Sequence, residues 1–300
     1  MKYVFIVNPN SGSKKTKESL LKNIGENNPD LDYEIYVTKC DQDATRYVDE
    51  YCHQYKEDVV FCACGGDGTI NEVVSGMVNH HNAILACYPC GSGNDFVKVY
   101  GGKEKFLTPQ YLKNAIETKI DIMQVNDKFS LNAINYGFEV TVCDTANKVR
   151  RKKLIGGKNS YTTGILIALF KSMKNYCKIY ANNSLIYDGN ILLSTYANGK
   201  YVGGKYCCAP YSNNEDGLME VTFVKPISIL KFISLVKHYE KGTHLGNEKY
   251  SKFIHYLQSN KITIDTKKET NICLDGEIYS GNHFEIINHK QKIRFLKPGE

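Results

Sequence analysis

The chain has 300 residues and a mass of 33.9 kDa, 42% apolar and 23% charged, which is room for two modest cores and more than most single compact domains of about 100 to 200 residues hold. Its 38 basic and 32 acidic side chains leave a net charge of +6, too mild a balance to imply a nucleic-acid partner. No apolar run approaches the roughly 18 residues of a membrane span, the longest being Ile165 to Phe170. The apolar stretch Tyr3 to Val7 is too short for a secretory segment, so the chain is expected to stay in the cytosol.

Tyr3 to Val7, Tyr33 to Thr38, Val59 to Cys64 and Ala83 to Tyr88 are short runs rich in Val, Ile, Tyr and Cys, each closed by polar or Gly-containing residues, and they read as strands. Between them lie helical patterns: Thr16 to Ile24, Asp43 to Tyr55, and Ile70, Val73, Val74 and Met77 at the spacing of one helix face. Such alternation predicts parallel pairing through right-handed crossovers, an open α/β sheet covered on both faces, with ligands beyond the carboxyl ends of its strands. The polar and Gly-rich motifs of this half, Asn8 to Gly12, Thr38, Gly65 to Thr69 and Gly91 to Asp95, all fall at that edge.

After about Asp121 the texture changes. Ile120 to Val125, Phe129 to Tyr136, Cys177 to Ala181, Ile191 to Tyr196, Met219 to Val224, Lys261 to Asp265, Ile272 to Leu274 and Phe284 to Ile287 are strand-like, with Asp188-Gly189 and Ser280-Gly281-Asn282 as turn signals. Helical patterns are fewer, Tyr161 to Met173 and Ile227 to Tyr239. The expectation is an α/β domain over residues 1–122, completed by a returning strand within 290–300, and an antiparallel, β-sandwich-like domain over 123–289.

Eleven cysteines in a long chain without an export signal read as reduced thiols. Cys62 and Cys64, with the C-x-x-C pair Cys87 and Cys90, raise a zinc site, but two residues on one strand face do not converge tetrahedrally, and buried small apolar thiols are the preferred reading. A basic run, Lys148, Arg150, Arg151, Lys152, Lys153 and Lys158, contains no acid, and Lys14, Lys15 and Lys17 follow the first motif. These are either solvated faces or a surface that meets anionic lipid head groups.

Gly65-Gly66-Asp67-Gly68-Thr69 carries the sharpest chemistry. Glycines there let a backbone approach phosphate, and the helix behind them presents free N–H groups and the positive end of its dipole. Asp67 would repel a polyphosphate unless a cation lay between, so the run predicts Mg²⁺ bound with a nucleotide rather than a plain turn with an Asp cap. Asn8-Pro9-Asn10-Ser11-Gly12 and Pro89 to Asp95 offer further donors at the same edge. No G-x-x-x-x-G-K-[ST] motif and no protein-kinase H-R-D or D-F-G set is present. Late in the chain, Asp275-Gly276-Glu277 offers carboxylates that could serve as a general base if delivered to the phosphate loop, and would otherwise be a hairpin turn.

Together Asn-Pro-x-Ser-Gly at 8–12, Gly-Gly-Asp-Gly-Thr at 65–69, Pro-x-Gly-Ser-Gly-Asn-Asp ending at Asp95, and Asp-Gly-Glu at 275–277 resemble the diacylglycerol kinase catalytic family, which includes soluble bacterial lipid kinases and the sphingosine and ceramide kinases. Gly-Gly-Asp-Gly-Thr alone also occurs in NAD kinases and resembles a phosphofructokinase motif. The resemblance implies a cytoplasmic enzyme, peripheral at the inner membrane surface and a possible homodimer, that uses ATP and Mg²⁺ to phosphorylate diacylglycerol to phosphatidic acid. An NAD or sugar-phosphate kinase, or a nucleotide-binding regulator without turnover, are the alternatives. It implies nucleotide binding by Asn8, Pro9, Asn10, Ser11, Gly12, Thr38, Gly66, Asp67, Gly68, Thr69, Ile70, Asn71, Glu72 and Ser92. Glu277 would accept the proton, with Asp67 and Asp275 as further catalytic candidates, and Asp216 with the main-chain oxygens of Asn213 and Leu218 would hold a structural Mg²⁺. Ser92 stands where many bacterial members have Thr, and Gly137-Phe138-Glu139 has Glu where Asp is frequent.

Overall fold

The computed structural model describes residues 1–11, 22, 26, 31–151 and 173–299. It divides into two compact units, Met1–Ile122 with Lys290–Glu300, and Met123–His289. The expected helices Thr16 to Ile24 and Tyr161 to Met173 fall almost entirely outside the described residues. So do Gly12, Lys14, Lys15, Lys17 and, in its side chains, the basic run Lys148 to Lys158.

In the first unit, β1 (Lys2–Val7), β2 (Tyr33–Val37), β3 (Val59–Gly65) and β4 (Ala83–Pro89) are parallel in the order β4-β3-β1-β2. Every residue of β3 is buried, as an unbroken apolar run in the middle of a sheet covered on both faces should be. Helices α1 (Asp43–Gln54) and α2 (Asp67–Met77) bury the stripes Ala44, Val48, Tyr51 and Ile70, Val73, Val74, Met77. β5 (Ile116–Val125) then leads out of the unit.

The far side of β4 is closed by the last residues of the long strand Glu277–Lys297, with Arg294 paired to Ile84 and Phe295 to Leu85 in parallel register. The Arg294 guanidinium meets both oxygens of Asp58 at 2.8 Å and Glu117 Oε1 at 2.7 Å, a fork that only a planar guanidinium makes. Beside it, the Phe295 ring packs at 5.3 Å from Phe96, and Tyr111 donates from its hydroxyl to the Leu296 carbonyl at 2.7 Å.

The second unit is antiparallel apart from its helices. Its elements are β6 (Lys128–Ser130), β7 (Ala133–Gly137), α3 (Phe138–Arg151), β8 (Asn175–Ala181), β9 (Ser184–Ile191), β10 (Leu193–Ala197), β11 (Tyr201–Val202), β12 (Tyr206–Cys207), β13 (Met219–Val224), α4 (Ile229–Lys241), β14 (Ile254–Ser259), β15 (Lys261–Leu274) and β16 (Glu277–Lys297). Its sheet runs β14-β13-β10-β7-β15-β16, with the β8–β9 hairpin also on β15. Alternate residues, among them Met219, Val221, Phe223, Ile262, Ile264, Phe284 and Ile286, meet in one core. β15 serves two neighbours. Its first half pairs with β8 and its second with β7, and the register shift between Asp265 and Thr270 makes the bend, so the sheet folds over its own core as a sandwich does.

Three expectations are corrected here. Phe129 to Tyr136 is not one strand but β6 and β7, broken at Leu131-Asn132. Asp188-Gly189 lies inside β9; the turn is Asn182-Asn183, both at positive φ (48° and 68°), as two asparagines tolerate. Ser280-Gly281-Asn282 lies inside β16, where Thr270, Asn271 and Ile272 pair opposite Gly281, Ser280 and Tyr279.

Glu139 at the start of α3 receives hydrogen bonds from the Tyr239 hydroxyl (2.7 Å) and the Thr195 hydroxyl (3.2 Å). Burial still outweighs those bonds and pushes its carboxyl up to about 7. A carboxyl held above its unfolded value favours the fold when protonated, so this contribution is intact below about pH 4.5 and is lost as pH rises through about 7, on the order of 3 kcal/mol in all. Glu139→Gln should therefore remove a fall in melting temperature that wild type shows between pH 5 and 8. Parallel melting curves across that range for the two proteins would contradict the assignment.

Candidate active site

The carboxyl ends of β1, β3 and β4 bring three loops into direct contact within the first unit. Asn8 Nδ2 donates to Thr69 Oγ1 at 3.1 Å, tying the first loop to the start of α2, and the Cys90 N–H donates to the Gly65 carbonyl at 2.9 Å, tying the third loop to the second. The glycines are required by this packing. A Cβ on Gly65 would lie 2.1 Å from Thr69 Oγ1, and one on Gly91 would lie 2.4 Å from Gly66 Cα, so the two Gly-rich loops touch backbone to backbone. Gly68 is the opposite case: it is exposed in the first turn of α2, and nothing lies within 4 Å of where its Cβ would be.

Asp67 stands between the two loops. Its Oδ1 accepts the Phe96 N–H at 3.1 Å, and its Oδ2 would be 3.0 Å from a Cβ on Gly93. The Gly91–Asp95 loop is held in shape by Asn94, at φ 49°, whose side chain both accepts from the Gly91 N–H (3.0 Å) and donates to the Gly91 carbonyl (2.8 Å). Asp95 is buried and paired with Lys98. Alongside, a cleft is lined by Asn8, Asn10, Thr38, Lys39, Thr69 and Glu72. Pro9, Asn10 and Ser92 are exposed, and Ser11 and Asn71 are half-buried. Ile70 does not face the cleft with its side chain, which is buried in the α2 stripe, and its N–H bonds to the Gly66 carbonyl at 3.1 Å.

In the second unit Asp275 (φ 47°) and Gly276 (φ 100°) form the turn between β15 and β16. The Asp275 carboxylate accepts from the N–H groups of Leu131 (2.7 Å), Ala133 (2.8 Å) and Asn132 (3.1 Å) and from the Ser130 hydroxyl (3.0 Å). Four donors on one carboxylate also explain the break between β6 and β7: the backbone there turns to supply them. Glu277, two residues on, is exposed and lies opposite Leu274 in the hairpin. Asp216 accepts the Leu218 N–H at 2.8 Å in a tight turn through Gly217 (φ 86°), and Asn213 accepts the Glu215 N–H at 3.1 Å. This turn brings carboxylate, amide and carbonyl oxygens close along the chain, a hard donor set.

Two family models cover most of the chain: the diacylglycerol kinase catalytic domain matches residues 2–125, and the YegS C-terminal NAD kinase beta sandwich-like domain matches residues 132–286. The chain belongs to the diacylglycerol kinase family of lipid kinases. It is 28% identical over 302 residues to the diacylglycerol kinase of Bacillus subtilis (strain 168), spanning 98% of this chain and 96% of that protein. A protein of Cronobacter sakazakii (strain ATCC BAA-894), named "Probable lipid kinase YegS-like", is 31% identical over 263 residues, 85% of this chain and 82% of its own. The fold is that of a diacylglycerol kinase crystal structure from Bacillus anthracis str. Sterne, with a TM-score of 0.72 at 21% identity, 99% of this chain and 96% of that one.

Lys39 and Asp41, which line the cleft from the turn after β2, were not singled out from the sequence of this lipid kinase, whereas Asn94 and Asp95, read there only as members of the third motif, shape that loop. Most of the cysteines are core residues. Cys62, Cys64 and Cys87 are buried on β3 and β4, and burial pushes the thiols of Cys64, Cys87 and Cys90 up. No helix of the described residues is long and apolar enough to cross a membrane.

Proposed function

We propose that this lipid kinase binds ATP with Mg²⁺ at the loops of the first unit and transfers the γ-phosphoryl group to the free hydroxyl of diacylglycerol, giving phosphatidic acid. The observation that carries the reading is the junction of Gly66, Gly91 and Asp67: close-packed glycine backbones at the N-terminus of α2, with one carboxylate set among them. Glycine N–H groups and a helix dipole suit phosphate oxygens, and a carboxylate at that point suits a hard divalent cation held against them. Mg²⁺ would neutralise charge on the transferring group. Asn8, Asn10, Thr38 and Thr69 line the cleft with hydroxyl and amide groups for the rest of the nucleotide.

On the acceptor side, Glu277 takes the hydroxyl proton as the new bond to phosphorus forms, and the reaction is otherwise positioning and charge neutralisation. Asp275 acts as a positioning residue. Its carboxylate is engaged by four donors, and its hydrogen bonds fix the turn that presents Glu277. Asp216, with the main-chain oxygens of Asn213 and Leu218, holds a second Mg²⁺ away from the chemistry; oxygen donors of this kind suit that ion rather than a softer one. Action on a lipid places the enzyme at a membrane surface, and Lys148 to Lys158 is the segment proposed to meet anionic head groups.

The direct test is incubation of the purified protein with radiolabelled ATP, Mg²⁺ and a panel of diacylglycerol, ceramide, sphingosine, polyprenol and NAD. Label in phosphatidic acid, abolished by chelation, is the expected result. Label in another lipid would keep the reaction and change the substrate, whereas label in NAD alone would overturn the proposal.

A further inference from the structure

At the opposite end of the first unit from the phosphate loops, three metal-ligating side chains converge on one point. Asp49 and His53 occupy successive turns of α1, at the spacing that puts them on the same face, and His80 follows α2 in the connection to β4. One ligand atom from each lies within 4.8 Å of the other two. His80 Nε2 is 2.7 Å from Asp49 Oδ1, and His53 Nδ1 is 3.7 Å from Asp49 Oδ2. The longer separation is near the roughly 3.4 Å edge of a tetrahedral site with bonds of about 2.1 Å, and the shorter is a hydrogen-bond contact that would lengthen on binding an ion. The two imidazoles stand nearly perpendicular, 81° apart with centroids 4.7 Å from each other, the edge of one against the face of the other.

We propose that Asp49, His53 and His80 form a binding site for a divalent transition metal, Zn²⁺ in the first instance, with the fourth position open to water. Two imidazoles and one carboxylate select a borderline ion of this kind over Mg²⁺, which takes oxygen ligands. His53 Nδ1 also lies 2.8 Å from the Asp49 carbonyl, a contact that this nitrogen would give up to bind the ion. Entry is open as well: the His53 side chain is 65% exposed and Asp49 47%, while His80 at 11% forms the floor.

An ion here would bridge α1 to the α2–β4 connection. It would extend a seam that the protein already makes one step further on, where Asn82 Nδ2 donates to the carbonyls of Tyr55 (2.8 Å) and Glu57 (3.3 Å). Because both helices run back from the carboxyl edge of the sheet, the ion would sit away from the nucleotide loops. Its effect would be on the stability of the first unit, by binding the folded state alone.

The test uses chelator-treated full-length protein in excess Mg²⁺, titrated with Co²⁺ and followed by the visible absorption of a tetrahedral centre, and with Zn²⁺ followed by melting temperature. One equivalent of Co²⁺ should develop the band, and Zn²⁺ should raise the melting temperature. His53→Gln should weaken both responses by at least the roughly 10- to 100-fold that losing even a supporting partner costs. His80→Gln should do the same. If that variant folds poorly, the exposed His53 still decides the matter. Absence of both responses in wild type, or a His53→Gln protein that takes up Co²⁺ as wild type does, would overturn the proposal.

Discussion

Replacing Glu277 by glutamine should lower kcat for lipid phosphorylation by about 10²- to 10⁴-fold, with ATP binding and melting temperature close to wild type. Glutamine keeps the size and polarity of the exposed residue but has no basic site for the acceptor proton, and the four donors to the Asp275 carboxylate come from residues 130–133 rather than from residue 277. The matched control is Asp216→Ala, which should lower the melting temperature while leaving more turnover than Glu277→Gln. Full turnover in Glu277→Gln, or loss of it through unfolding while Asp216→Ala stays folded and inactive, would mean the two roles are reversed and the base lies nearer Asp67.

Asp67→Asn should cost at least about 10²-fold in turnover and shift the Mg²⁺ requirement upwards. The substitution is nearly isosteric, and an amide oxygen can still accept the Phe96 N–H, so the junction of the second and third loops survives. What is lost is the negative charge that would hold a cation against the nucleotide phosphates. Steady-state rates across a Mg²⁺ titration, with nucleotide binding measured separately, distinguish this from misfolding. Activity within a few-fold of wild type with an unchanged Mg²⁺ dependence would reduce Asp67 to a fastening for the Phe96 backbone.

Much of the first unit's architecture is local, and so could be read residue by residue. Ile70, Val73, Val74 and Met77 announce their helix by spacing alone, and an unbroken run such as Val59 to Cys64 announces a buried parallel strand. The second unit is different because its turns are decided by distant partners. Leu131 and Asn132 carry no turn residue that outweighs the apolar run around them; they bend because Asp275, more than 140 residues later, accepts their N–H groups. Asp188-Gly189 has the better turn composition, yet the cross-strand register with β8 makes it strand and leaves Asn182-Asn183 to reverse the chain. At the site, the glycine motifs were legible as a fixed run of residues, and the packing of Gly65 on Thr69 and of Gly91 on Gly66 leaves no room for a side chain there. The cradle around Asp67 was not, since the contact between Gly66 and Gly91 exists only once β3 and β4 are side by side. The Asp49, His53 and His80 cluster was hidden for the same reason: half of it is an i, i+4 pair, and the rest arrives from another element.

The Arg294 fork has a consequence for how the protein is made. Asp58 and Arg294 are separated by 236 residues and Tyr111 and Leu296 by 185, so a nascent chain that has already emitted β1 to β4 must wait for the ribosome to pass Leu296 before the outer edge of β4 is covered. At about 5 to 20 residues per second, synthesis of the stretch between Ile122 and Lys290 takes on the order of ten to thirty seconds. Throughout that interval Ile84, Leu85 and the Phe96 ring lack their Phe295 neighbour, and an uncovered parallel edge of that kind is a template for pairing with another chain. The second unit, by contrast, is continuous in sequence and can finish while its host is still incomplete, which makes the late arrival of residues 290–299 the step at which a molecular chaperone would have most to do.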